Sequence, residues 1–556
     1  MRARFSGCSV FEMSAVALLI TSALLAVATE APSGGGTYVI AGTLVNSRTG
    51  SAVAQARVAL LDTNTRKNVA TLTTAADGHY SFSGLPAGKY SLVASKPGYL
   101  DGAYDQHQGY SSAIVTGRNF ETASLVFRFI PTASITGLIR DASGDPVRDA
   151  VVTLFVETVW NRTRRVFRVE KSATDDRGYY EFSQLRPGTY YLSVTAKPWY
   201  SVSLPSTSRG AEPDLFRNAR PVEMVYPTSY YAGTSDAEFA TPIHLKGGDH
   251  IPIDIALTPA PALHVRFRVN EDAGSPGSVS LSKRVFDSLE HSEDSQLTAM
   301  EPGLYEANGV APGRYRVWLT DAGKENAKKA IEVELNTEGQ EIDLSRAESL
   351  HSLKFTVMLD GKGDMPARLQ LGLMNNRAIK HIDALDASGR VTFNEVRPGR
   401  YVILCNDPDG FYSVAPFAVT KTSSNEGQSI GHDITVGSGE SDERTVWLTQ
   451  GKAKIQGIVR KEGKPSAGMM VILIPKDADS QIELFRRDQT DFDGTFNLNG
   501  VIPGSYTVIA LEGAWEADWE DAEALARFAP KGQHIYFDNG FVGSITLPEP
   551  LEVQHW

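Results

Sequence analysis

Asp176-Arg177-Gly178-Tyr179-Tyr180-Glu181-Phe182-Ser183-Gln184-Leu185-Arg186-Pro187-Gly188-Thr189-Tyr190 is the stretch that decides the fold of this chain. Asp caps the local backbone and Gly takes positive φ at little steric cost, so the stretch opens with a turn. Tyr180 and Phe182 alternate with polar neighbours, which puts both rings on one face of a strand. Pro187-Gly188 fixes φ and reverses the chain again. Tyr190, Leu192 and Val194 then open a second strand.

The same letters return four more times. They stand as Asp77-Gly78, Tyr80, Phe82, Leu85, Pro86, Gly88, Tyr90, and as Gly303, Tyr305, Val310, Pro312-Gly313, Tyr315. They follow again as Gly389, Val391, Phe393, Val396, Pro398-Gly399, Tyr401, and as Asp493-Gly494, Phe496, Leu498, Val501, Pro503-Gly504, Tyr506. In all five copies the turn glycine and the glycine before the tyrosine are 10 residues apart. Successive second glycines lie 100, 125, 86 and 105 residues apart, the signature of a tandem repeat of about 100 residues.

Each copy also begins with a strand. Ile40-x-Gly42, Ile135-x-Gly137 and Ile455-x-Gly457 precede their turn glycines by 36, 41 and 37 residues. Phe267 and Phe355 take the glycine's place in the third and fourth copies. A polar turn follows (Thr49-Gly50, Gly144-Asp145-Pro146, Gly463-Lys464-Pro465), then an apolar strand at 58–61, 151–156 and 470–474. Short strands with Gly/Pro turns predict all-β sandwiches. Only residues 521–528 read as helical, with Ala524, Leu525 and Phe528 on one face. Cys405 sits where the other copies place Ala, Val or Leu, and so reads as a buried small hydrophobe.

The 556 residues hold 54 Lys and Arg against 66 Asp and Glu, a net charge of −12. That balance argues against nucleic acid as a partner, because phosphate neutralisation needs clustered Lys and Arg. With only Cys8 and Cys405, neither a disulfide framework nor a zinc ribbon can be built. Arg2, Arg4, the apolar run at 15–27 and Ala26-Val27-Ala28 read as an export signal cleaved near Ala28, with Glu12 an awkward neighbour. The run is too short for a permanent anchor, and no later run of about 18 apolar residues follows, so no transmembrane segment is expected after cleavage. No sorting signal is read after Leu547-Pro548. The expected organisation is a signal peptide at 1–28 and sandwiches at 37–130, 131–260, 261–349, 350–450 and 451–556, the third and fourth degenerate.

Ile-x-Gly, a Gly-x-Pro turn, an apolar strand, Asp-Gly with alternating rings, and Leu-x-Pro-Gly-x-Tyr together resemble the carboxypeptidase regulatory-like domain. That family belongs with the transthyretin-like, Cna-B-like and starch-binding-like seven-stranded sandwiches. The first, second and fifth copies match well, the third and fourth only around the Pro-Gly-x-Tyr turn. The resemblance implies a secreted, extracellular or periplasmic bacterial array of non-catalytic modules, often discussed as carbohydrate-binding-like or attached to peptidases. It specifies fold far more than function, because its motif consists of turn and core residues.

Enzyme patterns are sparse. No histidine has Glu at +3, as a zinc carboxypeptidase would need, and His-Glu-x-x-His is absent. Gly427-Gln428-Ser429-Ile430-Gly431 fits G-x-S-x-G with His432 beside it, but in a polar stretch with no following helical pattern. Asp491-x-Asp493-Gly494 is half a calcium loop and reads as turn capping. Some Cna-B-like modules carry a Lys–Asn isopeptide bond. The resemblance places its lysine at Leu44, Leu138 and Gly457, leaving Lys454 with Glu512 and Asn539 as a candidate set in the last module. No catalytic residue, cofactor or metal site is expected.

Ligand contacts are sought instead where the repeat is interrupted. The insertion at 199–251 holds Trp199, Tyr200, Phe216, Tyr226, Tyr230 and Tyr231, and the last module carries Trp515 and Trp519. Of these, Trp199, Tyr200, Tyr230, Tyr231, Trp515 and Trp519 are the candidate ligand-contacting rings, since aromatic faces stack on sugars. The alternative is that they cover their own sandwich or a joint between modules. Trp318 faces opposite Tyr315 and Val317, at the surface or at a joint. The leading expectation is a non-enzymatic binding or adhesion protein for polysaccharide, cell-wall glycan or other surface proteins. Its alternatives are an accessory part of a secreted peptidase or hydrolase system, a hydrolase assembled between modules, and a purely structural spacer.

Overall fold

The computed structural model describes residues 36–63, 65, 67–107, 110–118, 120–160, 163–201, 224–269, 276–291, 296–301, 303–321, 327–361, 365, 368–375, 378–406, 417–424, 427–437, 441–478, 481–516, 521–538 and 540–556. The stretch read as an export signal, Phe216, Trp519 and Asn539 fall outside them. Within them strand follows strand, and Ala522–Leu525 is the one α-helix among the described residues.

The second unit shows the plan. Its first strand, Ala133–Asp141, pairs antiparallel with the motif strand Tyr179–Leu185 and parallel with His250–Pro252 and Ile255–Leu257. Facing it, Val151–Trp160 lies between Thr163–Ala173 and Gly188–Thr195, antiparallel to both. A parallel partner cannot follow by a hairpin, so the strand that closes the unit comes last, after the second sheet. The loop around Tyr230 and Ile243 returns to the sheet edge. Ser229–Tyr230 and Ile243–Leu245 both pair with Gly188–Thr195.

This frame recurs along the chain. In unit 1, Tyr38–Asn46 lies between His79–Leu85 and the parallel strand Leu125–Phe129. In unit 3, Leu263–Arg268 has Glu341–Asp343 as its parallel partner; in unit 4, His351–Leu359 has Ser441–Gln450. In unit 5, Ala453–Lys461 pairs with Thr495–Val501 and with the parallel strand Gly543–Thr546. Each unit encloses its own apolar cluster.

The repeated letters are accounted for by geometry. The turn glycines 78, 178, 303, 389 and 494 have φ of 74, 75, 75, 75 and 79°, which L side chains rarely adopt. The glycine of Ile-x-Gly serves a close approach: a Cβ on Gly137 would stand 1.7 Å from the Ile253 carbonyl oxygen, and one on Gly42 2.0 Å from that of Leu125. The motif tyrosine ends each repeat identically. Its hydroxyl donates to the carbonyl four residues upstream: Tyr90 to Pro86 (3.1 Å), Tyr190 to Arg186 (2.9 Å), Tyr315 to Ala311 (2.7 Å), Tyr401 to Arg397 (3.0 Å) and Tyr506 to Ile502 (2.8 Å). This is the tyrosine corner of sandwich folds, with the ring buried and its one polar atom satisfied. Cys405 is buried in the core of unit 4.

Neighbouring units are joined by side chains outside the motif. At the tip of a unit 3 hairpin, Phe286 holds a φ of 52°. Its ring packs 4.9 Å from Phe155, 5.0 Å from Tyr191 and 5.5 Å from Tyr230, all in unit 2. Asp287 beside it accepts from Arg165 Nη1 (3.0 Å) and from the Val166 amide (2.8 Å). Trp318 packs with Ala330 against Leu350 where unit 3 meets unit 4, and its indole donates to Ser282 Oγ at 2.9 Å. Ala418 of unit 4 packs into the core of unit 5.

Candidate functional site

Unit 5 departs from the plan in one respect that makes a cavity. Its strand Met470–Pro475 is buried along its whole length. Val471 and Leu473 face the sandwich interior with Val508 and Ala510, while Met470, Ile472 and Ile474 face outward with Ile509 and Leu511. An apolar run without alternation marks a strand covered on both faces. The outer cover brings Ala514, Leu525 and Phe528 onto that face. Its helix starts where the sequence places it, with the Asp521 carboxylate accepting from the Glu523 amide at 2.9 Å.

The cover stops at Gly532, where a Cβ would stand 2.5 Å from Thr507 Cγ2. Between this cover, through Ala522, Leu525 and Ala529, and the strands lies a groove of about 670 Å³ whose polar lining is Lys476, Asp477, Ser505, Thr507 and His534. Thr507 Oγ1 and His534 Nδ1 are 2.9 Å apart. Tyr536, paired across the strands with Ser505, leaves its ring 68 % exposed beside them. Tyr536 itself stands outside the groove's lining, next to its hydroxyl and imidazole groups. The sequence reading missed this group. The unbroken apolar run at 470–474, followed by Ser505-x-Thr507 on the neighbouring strand, was its available signal.

Of the six rings singled out in the sequence, the five described ones do not converge on one site. Trp199 is 80 % exposed and meets Tyr200 edge-on at 5.6 Å. Tyr231 packs against the core of unit 2. Tyr230 is 1 % exposed at the joint with unit 3, and a ring so enclosed offers no face to a sugar. Trp515 packs on the outer apolar cluster of unit 5 and stacks on His107 of unit 1 at 6.4 Å. Trp519 lies outside the described residues.

The catalytic patterns resolve into architecture. Ser429 stands not in a loop or on a strand-to-helix elbow but in the second arm of a hairpin, Gly427–Ile430 paired with Phe417–Ser424. His432 is buried, and burial lowers its pKa. Asp493 Oδ1 caps its turn by accepting from the Thr495 amide at 3.1 Å and hydroxyl at 2.6 Å. Lys454 lies on the exposed side of its strand, while Glu512 is held by Lys461 at 2.7 Å and by His555 at 3.0 Å. An isopeptide bond from Lys454 to the interior would need the strand to turn over. Among the described residues no group of three or more His, Cys, Asp or Glu could hold a metal ion, and no helix is long and apolar enough to cross a membrane.

Two buried titratable groups stand apart. Both carboxylate oxygens of Glu483 are enclosed without a hydrogen-bond partner, and burial pushes the group up to about 7. Burial likewise brings His381 down to about 4, with Lys380 adding to the shift. His381 is thus neutral at pH 7, while Glu483 titrates near neutrality.

The model of the carboxypeptidase regulatory-like domain matches residues 39–116 and 134–212, that is, units 1 and 2. Colossin-A of Dictyostelium discoideum is 22 % identical over 545 residues, which is 87 % of this chain but 4 % of that protein's length. Among solved structures, the TIE protein of Bacillus anthracis is 12 % identical, with 74 % of this chain and 73 % of that chain covered at a TM-score of 0.17. A streptococcal ancillary pilin is 11 % identical over 55 % of this chain and 98 % of its own, at 0.19. The minor pilin GBS52 of Streptococcus agalactiae is 13 % identical over 40 % of this chain and 97 % of its own, at 0.20. Scores this low carry no functional conclusion. The family match and the strand order agree on units 1 and 2, which are similar to the carboxypeptidase regulatory-like domain and stand in a tandem all-β array.

Proposed function

We propose that this chain is an exported, non-catalytic array of separately folding sandwiches that works by binding, with carbohydrate as its ligand class. One observation carries the non-catalytic part. In all five units the recurring residues are spent on turns, cores and tyrosine corners, which leaves recognition to non-repeating surface. The carbohydrate part is supported by the unit 5 groove, with exposed Tyr536 beside Ser505, Thr507 and His534, and by exposed Trp199 in unit 2. Export is supported by the charged, apolar and small-residue order of residues 1–28.

The test is retention of the full chain on glycan arrays and on insoluble cell-wall polysaccharide, repeated with Tyr536→Ala, Trp199→Ala and Trp515→Ala. Removing one stacking ring is expected to weaken retention on the order of tenfold, the equivalent of about 1.4 kcal/mol. Loss with Tyr536→Ala locates the ligand in the groove, and loss with Trp199→Ala locates it in unit 2. Silence of the unaltered chain on every glycan would refute the ligand class and leave protein partners as the target.

A further inference from the structure

The two ends of the array touch. Lys89 belongs to unit 1, one residue before the corner tyrosine, yet it is 5 % exposed. Its Nζ donates to Asp488 Oδ1 at 2.9 Å and to the Gln489 carbonyl at 2.6 Å, with the Asp491 carboxylate 3.7 Å away, all in unit 5. The Gln489 side-chain amide completes the contact in both directions. Its Nε2 donates to the Ala113 carbonyl at 3.0 Å, and its Oε1 accepts from the Ala113 amide at 2.6 Å. Gly117 gives Phe492 room, since a Cβ there would stand 2.9 Å from the Phe492 Cβ. The His107 ring lies stacked on Trp515 close by.

The repeat itself shows that this contact is specific. The position of Lys89 is held by Thr189, Arg314, Arg400 and Ser505 in the other units, and Arg314, Arg400 and Ser505 are exposed. It is exposed in units 3, 4 and 5, half-buried at Thr189 in unit 2, and fully buried only in unit 1. A lysine withdrawn from water is costly unless an opposite charge and further acceptors meet it, and unit 5 supplies both. None of Lys89, Gln489 or Phe492 is a motif residue, so the fold does not require them where they are.

We propose that units 1 and 5 form a head-to-tail latch, which makes the folded chain a closed array and not a rod. The surfaces are heterologous, so closure within one chain consumes both of them. The same contact made between chains would instead propagate into a filament. A latch also sets Trp515 against unit 1, where a ligand seeking that ring would have to compete with closure.

Small-angle scattering of the full chain tests this directly. Five sandwiches of about 35 Å placed end to end give a radius of gyration of roughly 50 Å, whereas a compact body of this length has about 24 Å. The latch predicts a value below about 35 Å, independent of protein concentration. Lys89→Asp and Asp488→Lys should each expand the chain by roughly a third or more, and the double exchange should restore compactness. If Lys89→Asp unfolds unit 1, as near-ultraviolet circular dichroism would show, the test passes to Gln489→Arg, which alters only the unit 5 surface and should also expand the chain. An extended unaltered chain, variants that stay folded and scatter unchanged, or concentration-dependent growth of the unaltered chain would each overturn closure.

Discussion

Units 2 and 3 follow one chain path with different interiors. In unit 2 the first strand carries Gly137, and the closing strand runs so near that its Ile253 carbonyl occupies the space of a side chain. In unit 3 Phe267 stands at that place, fully buried, and pairs with Tyr305 across the strands. The two units also differ in a polar staple. Buried Thr174 donates from Oγ1 to the Val147 carbonyl at 2.7 Å and accepts from the Ala150 amide at 2.9 Å. Thr74 and Thr490 do the same in units 1 and 5. All three threonines stand four residues before the turn glycine, where unit 3 has Ala299 and unit 4 has Leu385. Units 3 and 4 are thus a second solution to the same frame, with a ring in place of a close backbone approach.

Exchanging the two solutions should have the largest effect. Gly137→Phe should unfold unit 2, because the ring meets a backbone carbonyl that cannot withdraw. Phe267→Gly should cost unit 3 about 4 kcal/mol through the cavity it leaves. Thermal denaturation followed by near-ultraviolet circular dichroism would register both, and a tolerated Gly137→Phe would show that the two solutions are interchangeable.

Units 4 and 5 should respond to pH in opposite senses. His381 has a folded pKa lowered to about 4 against an ordinary 6.5. Its neutral form therefore contributes stability that is complete above pH 6.5 and lost as pH falls towards 4. Glu483 has a folded pKa raised to about 7 against an ordinary 4.5. Its neutral form contributes stability that is complete below pH 4.5 and lost as pH rises through 7. Glu483→Gln should accordingly stabilise unit 5 by up to about 3 kcal/mol at pH 8 and by little at pH 5. Denaturant melts at the two pH values measure this, and an equal effect at both would show that the carboxyl is not held neutral.

Smaller effects separate staple from corner. Thr174→Val keeps the shape but leaves a buried amide and a buried carbonyl unpaired, so it should destabilise unit 2 by about 2 kcal/mol. Tyr190→Phe and Tyr315→Phe should each cost about 1 kcal/mol, alike in units 2 and 3, because the corner is common to both solutions. A cost confined to unit 2 would mean that the corner of unit 3 is idle.

The frame was legible in the sequence because its determinants repeat at fixed spacing: turn glycines, alternating rings and corner tyrosines. Thr74, Thr174 and Thr490 were equally visible at a constant offset, but a hydroxyl before a turn looks like ordinary capping until its buried partners are seen. The joints could not be read that way. Phe286 and Lys89 occupy positions that the other units fill differently, and their partners come from other units. Tyr230 looked like a recognition ring for the same reason, since the phenylalanine that encloses it belongs to the next unit. The groove depends on how the unit 5 cover, through Ala522, Leu525 and Ala529, seats against strands far away in sequence, which the local sequence does not announce.

The central claim is that all five copies, including the two aberrant ones, are complete sandwiches whose recurring residues serve architecture. Hydrogen exchange of the full chain, resolved by mass spectrometry, tests it most directly. The slowest-exchanging peptides of every unit should be its first strand and the strand opened by its corner tyrosine, at Tyr90, Tyr190, Tyr315, Tyr401 and Tyr506 alike. Rapid exchange throughout units 3 and 4, with protection only in units 1, 2 and 5, would contradict it.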